Sequence, residues 1–214
     1  LLAASPFMKF IDISRPIYTG LAVWPGDSPV DFSFSARKTD GADANVGRLS
    51  MSVHAGTHAD AAYHYNESGM HIDEMPLDLF VGAARVVDIR GQAIITRALL
   101  EQFDFKDTPR VLFRSDTWSD TTVFPTRWPV FDPTTPESLA ARGVRLIGLD
   151  VPSVDTLTSS GMPMHHIIDR AGLFILENLD LRNVEAGIYD LIALPLRIKG
   201  GDGSPIRAVL QTRD

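Results

Sequence analysis

The chain has 214 residues, 44% of them hydrophobic, and a formal net charge of −7 at pH 7, so its length fits one domain with a sizeable core. The acidic balance argues against a nucleic-acid surface, which needs a basic patch, and no apolar run approaches the roughly 20 residues that span a bilayer. The chain has no cysteine, which excludes disulfides, thiolate metal sites and cysteine nucleophiles, and a cytoplasmic protein is the simplest expectation.

The first seven residues, LLAASPF, precede a methionine at position 8. This stretch is too short for a signal peptide and lacks the basic residues that begin one. We expect residues 1–7 to be an appended or disordered start and residues 8–214 to form the domain.

Strand and helix signals alternate along the rest of the chain. Short apolar runs rich in β-forming residues predict strands at 10–13, 84–89, 110–113, 144–149, 173–176, 190–198 and 206–211. One helix is predicted to begin at Thr96, and a second has Thr135 as its N-cap, Pro136 as its first residue and Gly143 after its end. We see no linker and no repeat, so we predict a single α+β domain.

Two loop regions stand out between these elements. The glycine-rich residues 199–205 predict a hairpin turn between two strands; a phosphate-binding loop is disfavoured because no P-loop lysine or following helix is present. Residues 114–135 predict a long loop interrupted by prolines, and long ordered loops often line a site.

Three histidines and an aspartate fall within eleven residues of SVHAGTHADAAYHY: His54, His58, Asp60 and His64. Their spacing of 4, 2 and 4 is even, so all four side chains would share one side of an extended chain, whereas a helix would point Asp60 away. We place His54 near the end of a strand and the other three on a tight loop. Imidazole and carboxylate together favour Zn²⁺, Mn²⁺ or Fe²⁺ over Ca²⁺. The alternative is a set of ordinary histidines that bind no metal.

A second segment, MPMHHIIDRAGLFILENL, offers the groups that would complete a metal site. His165 and His166 precede a predicted short helix that ends at Gly172, and a strand then leads into Glu177. A glutamate that ends a buried strand is unfavourable unless it is paired or metal-bound; the alternatives are a solvated strand end and a helix-capping histidine. The two segments together supply enough ligands for two bridged ions, which would suit hydrolysis of an amide or ester.

The stretch HAGTHADAAYH resembles the H-x-G-T-H-x-D-x-P-x-H signature of the cyclase family of metal hydrolases, with Ala62 in place of proline. The likeness continues along nearly the whole chain. Within the family the chain is most similar to the bacterial arylformamidases, which convert N-formyl-L-kynurenine to L-kynurenine and formate in tryptophan breakdown. The resemblance implies a swivelling β/β/α fold, a homodimer, a small-molecule substrate and two Zn²⁺ ions per subunit, with Mn²⁺ or another divalent ion as a substitute.

The resemblance also implies a role for individual residues. The metal ligands would be His54 and His58 on one ion, His165 on the other, and Asp60 and Glu177 as bridges between them. His165 is chosen over His166 because the family separates this histidine from the glutamate by twelve residues.

Two further positions match family residues that are not ligands. His64 would be the catalytic histidine that accepts and returns a proton. Trp24, which precedes a Pro-Gly-Asp turn, would contact the aromatic ring of the substrate. Trp118 and Trp128 are interpreted as packing residues.

The alternative functions for the whole chain are an isatin hydrolase or another amide hydrolase of the same family, a non-catalytic metal-binding module and a purely structural protein.

Overall fold

The computed structural model describes residues 9–213, so the prediction for residues 1–7 lies outside the described part of the chain. Within that part the strands are β1 (Phe10–Asp12), β2 (Asp31–Ala36), β3 (Val46–Ser50), β4 (His58–Asp60), β5 (Val81–Asp88), β6 (Ile94–Ile95), β7 (Arg110–Arg114), β8 (Val130–Phe131), β9 (Leu146–Leu149), β10 (Phe174–Glu177), β11 (Gly187–Ile192), β12 (Gly203–Pro205) and β13 (Val209–Thr212). The α-helices are α1 (Arg97–Leu100), α2 (Thr135–Ala141) and α3 (Pro163–Arg170), and single 3₁₀ turns lie at Lys38–Asp40, Ala62–His64, Ile72–Glu74 and Leu77–Leu79.

Nine of these strands form one mixed sheet in the order β1-β13-β11-β5-β7-β9-β10-β4-β12. The central strands β5, β7, β9 and β10 are parallel, and the outer neighbours pair antiparallel. Both faces of β7, β9 and β10 are largely buried, which is why these strands are nearly continuous apolar runs, whereas β5 is only partly buried and includes Arg85. In β7, Leu112 packs in the core of one face, while Val111 and Phe113 pack in the core of the other.

The helices cover one face of the sheet. Leu100 of α1, Leu139 of α2 and Ile168 of α3 are buried in the same core as Val111 and Phe113. The mixture of one large sheet, two small two-stranded sheets and a few short helices confirms the predicted α+β fold. No helix in the described part of the chain is long and apolar enough to cross a membrane.

The predicted helix ends are partly correct. Thr96 caps α1 by accepting a hydrogen bond from the backbone of the third helical residue, as its residue type predicts. In α2, Thr135 is the first helical residue rather than the N-cap, because the chain already turns at Thr134, whose backbone donates to Asp132. Gly143 follows the helix with a φ of 83°, a conformation that glycine adopts without strain.

The predicted strands exist but several limits differ. β11 begins at Gly187 and ends at Ile192, and the next backbone N–H, that of Ala193, continues the pairing by bonding the carbonyl of Phe80 just before β5. The hairpin predicted at residues 199–205 is present as a single antiparallel bridge between Pro195 and Ile206, while Gly203–Pro205 form β12. β12 pairs with β4 and not with β11, because β11 is already paired on both edges by β5 and β13.

Strands β2 and β3 form a hairpin of their own outside the large sheet. Every residue of β3 is exposed, as are the first five residues of β2. The alternation of Phe32 and Phe34 with serines places both rings on one face, where Leu49 lies opposite Phe32 in the register. This β2–β3 hairpin therefore presents an apolar face away from both cores.

Candidate metal centre and active-site pocket

Strand β4 carries two of the predicted ligands at adjacent positions on one face. His58 and Asp60 are two residues apart on an extended strand, so their side chains point the same way. The prediction of a tight loop is wrong here: Ala59, the one residue between them, is fully buried and pairs with Leu176 of β10 and Ser204 of β12. Glu177, the last residue of β10, lies directly opposite His58 in this register.

The other three histidines reach the same face from different elements. His54 lies in the turn that follows β3, and His64 ends the 3₁₀ turn after β4. His165 lies inside α3, together with His166, rather than before the helix as predicted, because Pro163 begins the helix earlier. The structure brings His165 to the carboxylates, whereas the ring of His166 lies beside Tyr65.

The two carboxylates separate the histidines into two groups. Asp60 Oδ1 is 3.0 Å from His54 Nδ1 and 3.3 Å from His58 Nε2, while its Oδ2 is 3.5 Å from His165 Nε2. Glu177 repeats this arrangement, with Oε2 3.6 Å from His58 Nε2 and Oε1 3.7 Å from His165 Nε2. Each carboxylate therefore turns one oxygen toward each side, as a group that bridges two cations would.

The second ring nitrogen of each of these histidines is held by another acceptor. His58 Nδ1 bonds to the backbone carbonyl two residues earlier at 2.9 Å, and His165 Nδ1 bonds to Asp155 at 2.7 Å. His54 Nε2 bonds to Asp202 at 3.1 Å. Such partners fix the orientation of the ring and the nitrogen that is left for a metal.

The donor set fits divalent cations. His58 Nε2 and Asp60 Oδ2 are fully buried and have no hydrogen-bond partner within the described structure, which is unfavourable unless something else satisfies them. Ligand atoms lie within 4.8 Å of one another in two groups of three residues: His54, Asp60 and His64, and His58, Asp60 and Glu177. Imidazole and carboxylate donors of this kind suit Zn²⁺ and Mn²⁺.

Burial and mutual charge shift the pKa values of the cluster in opposite directions. Burial raises the pKa of Glu177 well above its ordinary value, and the neighbouring Asp60 raises it further. Burial would also raise the pKa of Asp60, but the three histidines around it outweigh that effect and hold it well below its ordinary value. For His54 and His165, burial lowers the pKa, yet the partner carboxylates overcome it and raise each to about 10. The cluster therefore binds protons that a divalent cation would displace.

The cluster lies in a pocket of about 420 Å³. Aromatic side chains contribute to its lining: Trp24, Trp118 and Phe124. Trp24 packs edge-on against Phe124, with ring centroids 5.6 Å apart. Trp128 is a packing residue, as predicted, and Trp118 is buried but also reaches the pocket, which the sequence did not indicate.

Two carboxylates next to the histidines were missed by the sequence reasoning. Asp155 follows a buried strand end in the run VPSVD, a position that could have signalled a site residue. Asp202 lies in KGGDGSP, where the neighbouring residues predict a turn and give no indication of a site residue. Both become visible only when the fold brings them beside His165 and His54.

Fold and cluster together define an α+β protein with a candidate divalent-metal centre in an aromatic-lined pocket. The family model described as "Putative cyclase" matches residues 11–156. A kynurenine formamidase from Salinibacter ruber is 45% identical over 213 residues, covering 95% of this chain and 98% of the relative. The chain therefore belongs to the cyclase family.

Solved structures agree with this assignment. One described as a potential metal-dependent hydrolase with cyclase activity has a TM-score of 0.83 and 28% identity, covering 97% of this chain and 99% of the other. Isatin hydrolase A from Labrenzia aggregata also has a TM-score of 0.83, covering 97% of this chain and 94% of its own, but at 23% identity it shows the fold alone.

Proposed function

We propose that this chain hydrolyses N-formyl-L-kynurenine to L-kynurenine and formate, a reaction of tryptophan catabolism by the kynurenine pathway. The similarity to a kynurenine formamidase over nearly its full length supports this substrate. The structural observation that carries the proposal is the pair Asp60 and Glu177, each with one oxygen facing each side of the cluster.

Five side chains are proposed to hold two zinc ions. His54 and His58 would bind one ion and His165 the other, with Asp60 and Glu177 shared between them. Mn²⁺ or another divalent ion fits the same donors. When bound, such ions supply Lewis acidity at the formyl oxygen and activate water at neutral pH.

His64 is proposed to move the proton. Its ring lines the pocket, and burial lowers its pKa below the ordinary 6.5, so the ring is neutral at pH 7 and able to accept a proton. It takes a proton from the attacking water as oxygen bonds to the formyl carbon. It then gives a proton to the aniline nitrogen as the C–N bond breaks, which releases formate and the free amine.

Trp24 is proposed to contact the aryl ring of the substrate. Its indole lines the pocket and is held edge-on by Phe124 and by Trp128, at centroid distances of 5.6 and 6.2 Å. A fixed aromatic face offers a kynurenine ring a stacking or edge contact. The pocket therefore has an aromatic wall for the aryl group and a polar cluster for the formamide.

A homodimer is the proposed assembly. The β2–β3 hairpin supports it, because Phe32, Phe34 and Leu49 are between 41% and 49% exposed on one face. Contiguous exposed apolar residues of this kind mark protein–protein contacts. Residues 8–214 are proposed as the domain, and cytoplasmic localisation and a bacterial source stay predictions.

The test is a hydrolysis assay of the purified protein with N-formyl-L-kynurenine and with isatin, together with metal analysis. We expect two divalent ions per chain, hydrolysis of the formamide, loss of activity on chelation and recovery with zinc. Preference for isatin would contradict the formamide assignment and favour opening of a cyclic aryl amide. Full activity after complete removal of metal would contradict the metal centre.

A further inference from the structure

Asp202 lies between two histidines of the cluster, on the loop that precedes β12. Its Oδ2 is 3.1 Å from His54 Nε2 and 3.6 Å from His64 Nδ1. The contact with His54 is a hydrogen bond. The contact with His64 is slightly too long for one, and a small shift of the carboxylate would bring it within hydrogen-bonding distance. The two imidazole rings lie against each other with centroids 3.9 Å apart, so one oxygen faces a nitrogen of each ring.

The backbone that carries Asp202 is held in place on β4. The carbonyl of Asp202 accepts a hydrogen bond from the N–H of Ala61 at 3.0 Å, and Gly203 pairs with Asp60. A Cβ at position 203 would lie 2.8 Å from His54 Cε1, so the loop packs directly on that ring and leaves no room for a side chain. The backbone from which the carboxylate extends is therefore set by the sheet, while the side chain itself is 44% exposed.

We propose that Asp202 is a positioning residue for both histidines. Asp202 holds Nε2 of the His54 ring and so directs Nδ1 of that ring at Asp60. Nδ1 is the ring atom that faces the proposed metal centre. Through Nδ1, Asp202 orients His64 and leaves Nε2 of that ring for the substrate. A carboxylate on the far nitrogen of a general base fixes its tautomer and stabilises the imidazolium that forms during proton transfer. The part that concerns His64 rests on the proposed reaction, while the part that concerns His54 rests on the proposed metal centre and on the hydrogen bond to Nε2.

Asp202 contacts two histidines, whereas the partners of the other proposed ligand histidines do not contact His64 in the described part of the chain. His58 is held by a backbone carbonyl, and His165 by Asp155. Neither of those acceptors forms a hydrogen bond or ion pair with His64 within the described structure. Asp202 is the carboxylate that joins a proposed ligand to the proposed base.

The test compares Asp202→Ala and Asp202→Asn with Asp73→Ala as a matched control. Asp73 Oδ1 accepts the N–H of Gly200 and so supports the same loop from its other end without touching the histidines. Three quantities are measured on the zinc-loaded protein: kcat and KM for N-formyl-L-kynurenine, the zinc affinity in competition with a chelator, and the histidine ring tautomers by ¹H–¹⁵N spectroscopy. With six histidines in the chain, each ring can be assigned.

We expect Asp202→Ala to lower kcat and the zinc affinity by about 10- to 100-fold each, with a smaller effect on KM, because the contacts that the carboxylate makes are with the two histidines. The Nδ1–H tautomer of His64 should be lost. Asp202→Asn keeps the shape and an acceptor oxygen, so zinc affinity should recover while kcat stays low. Asp73→Ala should resemble the unmodified protein in all three measurements.

Wild-type kcat and zinc affinity in both Asp202 variants would overturn the inference, and so would equal losses in Asp73→Ala, which would assign the effect to the loop. Because Asp202→Asn preserves the side-chain shape, it keeps the test valid if Asp202→Ala does not fold. If the unmodified protein does not hydrolyse the formamide but Asp202→Ala still weakens zinc binding and changes the His64 tautomer, the proposed reaction fails and the positioning role stands.

Discussion

His165 Nδ1 lies 2.7 Å from Asp155 Oδ2, and the same carboxylate accepts the backbone N–H groups of Met164 and His165 in the first turn of α3. One side chain therefore satisfies the beginning of the helix and directs His165 Nε2 toward Asp60 and Glu177. We expect the second half of the proposed metal centre to depend on this contact.

Asp155→Ala should weaken binding of one ion by about 10- to 100-fold, because the ring of His165 loses its orienting partner. The helix should also lose about 1 kcal/mol of capping stabilisation. Metal analysis after extensive dialysis measures the first effect and thermal unfolding the second. His166→Ala is the matched control on the same helix and should retain both ions. Loss of an ion in His166→Ala but not in Asp155→Ala would show that the wrong histidine has been assigned.

Trp24→Ala should raise KM for N-formyl-L-kynurenine and leave the metal content unchanged. A ring contact is present in the ground and transition states alike, so the loss should fall on KM rather than on kcat. An aromatic pair contributes about 1 kcal/mol, which corresponds to roughly a five-fold rise in KM. Trp24→Phe keeps an aromatic ring, so its KM should lie between those of the unmodified protein and Trp24→Ala. Unchanged kinetics in Trp24→Ala would mean that Trp24 only packs against Phe124.

The β2–β3 hairpin should be the contact between two copies of the chain. Replacing Phe34 and Leu49 together by serine removes apolar surface from the exposed face without touching either buried core. Light scattering should then report a dimer for the unmodified protein and a monomer for the double variant. A dimer that survives the double substitution would place the interface elsewhere.

The activity should fall toward acidic pH. Burial lowers the pKa of His64 below 6.5, so the ring is neutral at pH 7 and becomes protonated, and unable to accept a proton, only at lower pH. We therefore expect kcat/KM to be constant near pH 7 and to decrease below pH 6.5. Metal content must be measured at each pH, because protons also compete for His54 and His165. An acid limb centred above pH 7 with both ions bound would contradict this assignment.

The sequence predicted the part of the site that depends on local spacing. The two-residue separation of His58 and Asp60 places them on one face of any extended segment, and the structure has them so. The sequence predicted a loop at His58 and Asp60, because the small residues around them carry little strand signal. This segment becomes strand β4 only through pairing with its neighbours β10 and β12.

The remainder of the site arises from contacts between distant segments. Asp202 meets His54 across 148 residues, and its turn-like neighbours give no sign of this contact, whereas Asp155 meets His165 across 10 residues from a position after a buried strand that does offer a signal. The limits of α3 were misjudged for a similar reason. Asp155 accepts the first backbone N–H groups and lets the helix begin before the two histidines.

We propose that five side chains hold two ions while a sixth, His64, moves the proton. Geometry alone allows either role for His64, because its ring also lies within ligand distance of His54 and Asp60. The most direct measurement is the metal content of His64→Ala beside its turnover, with His58→Ala as the ligand control. We predict two ions per chain in His64→Ala with a rate reduced by about 10²- to 10⁴-fold, and loss of metal in His58→Ala. A His64→Ala protein that has lost an ion, or that is fully active, would contradict it.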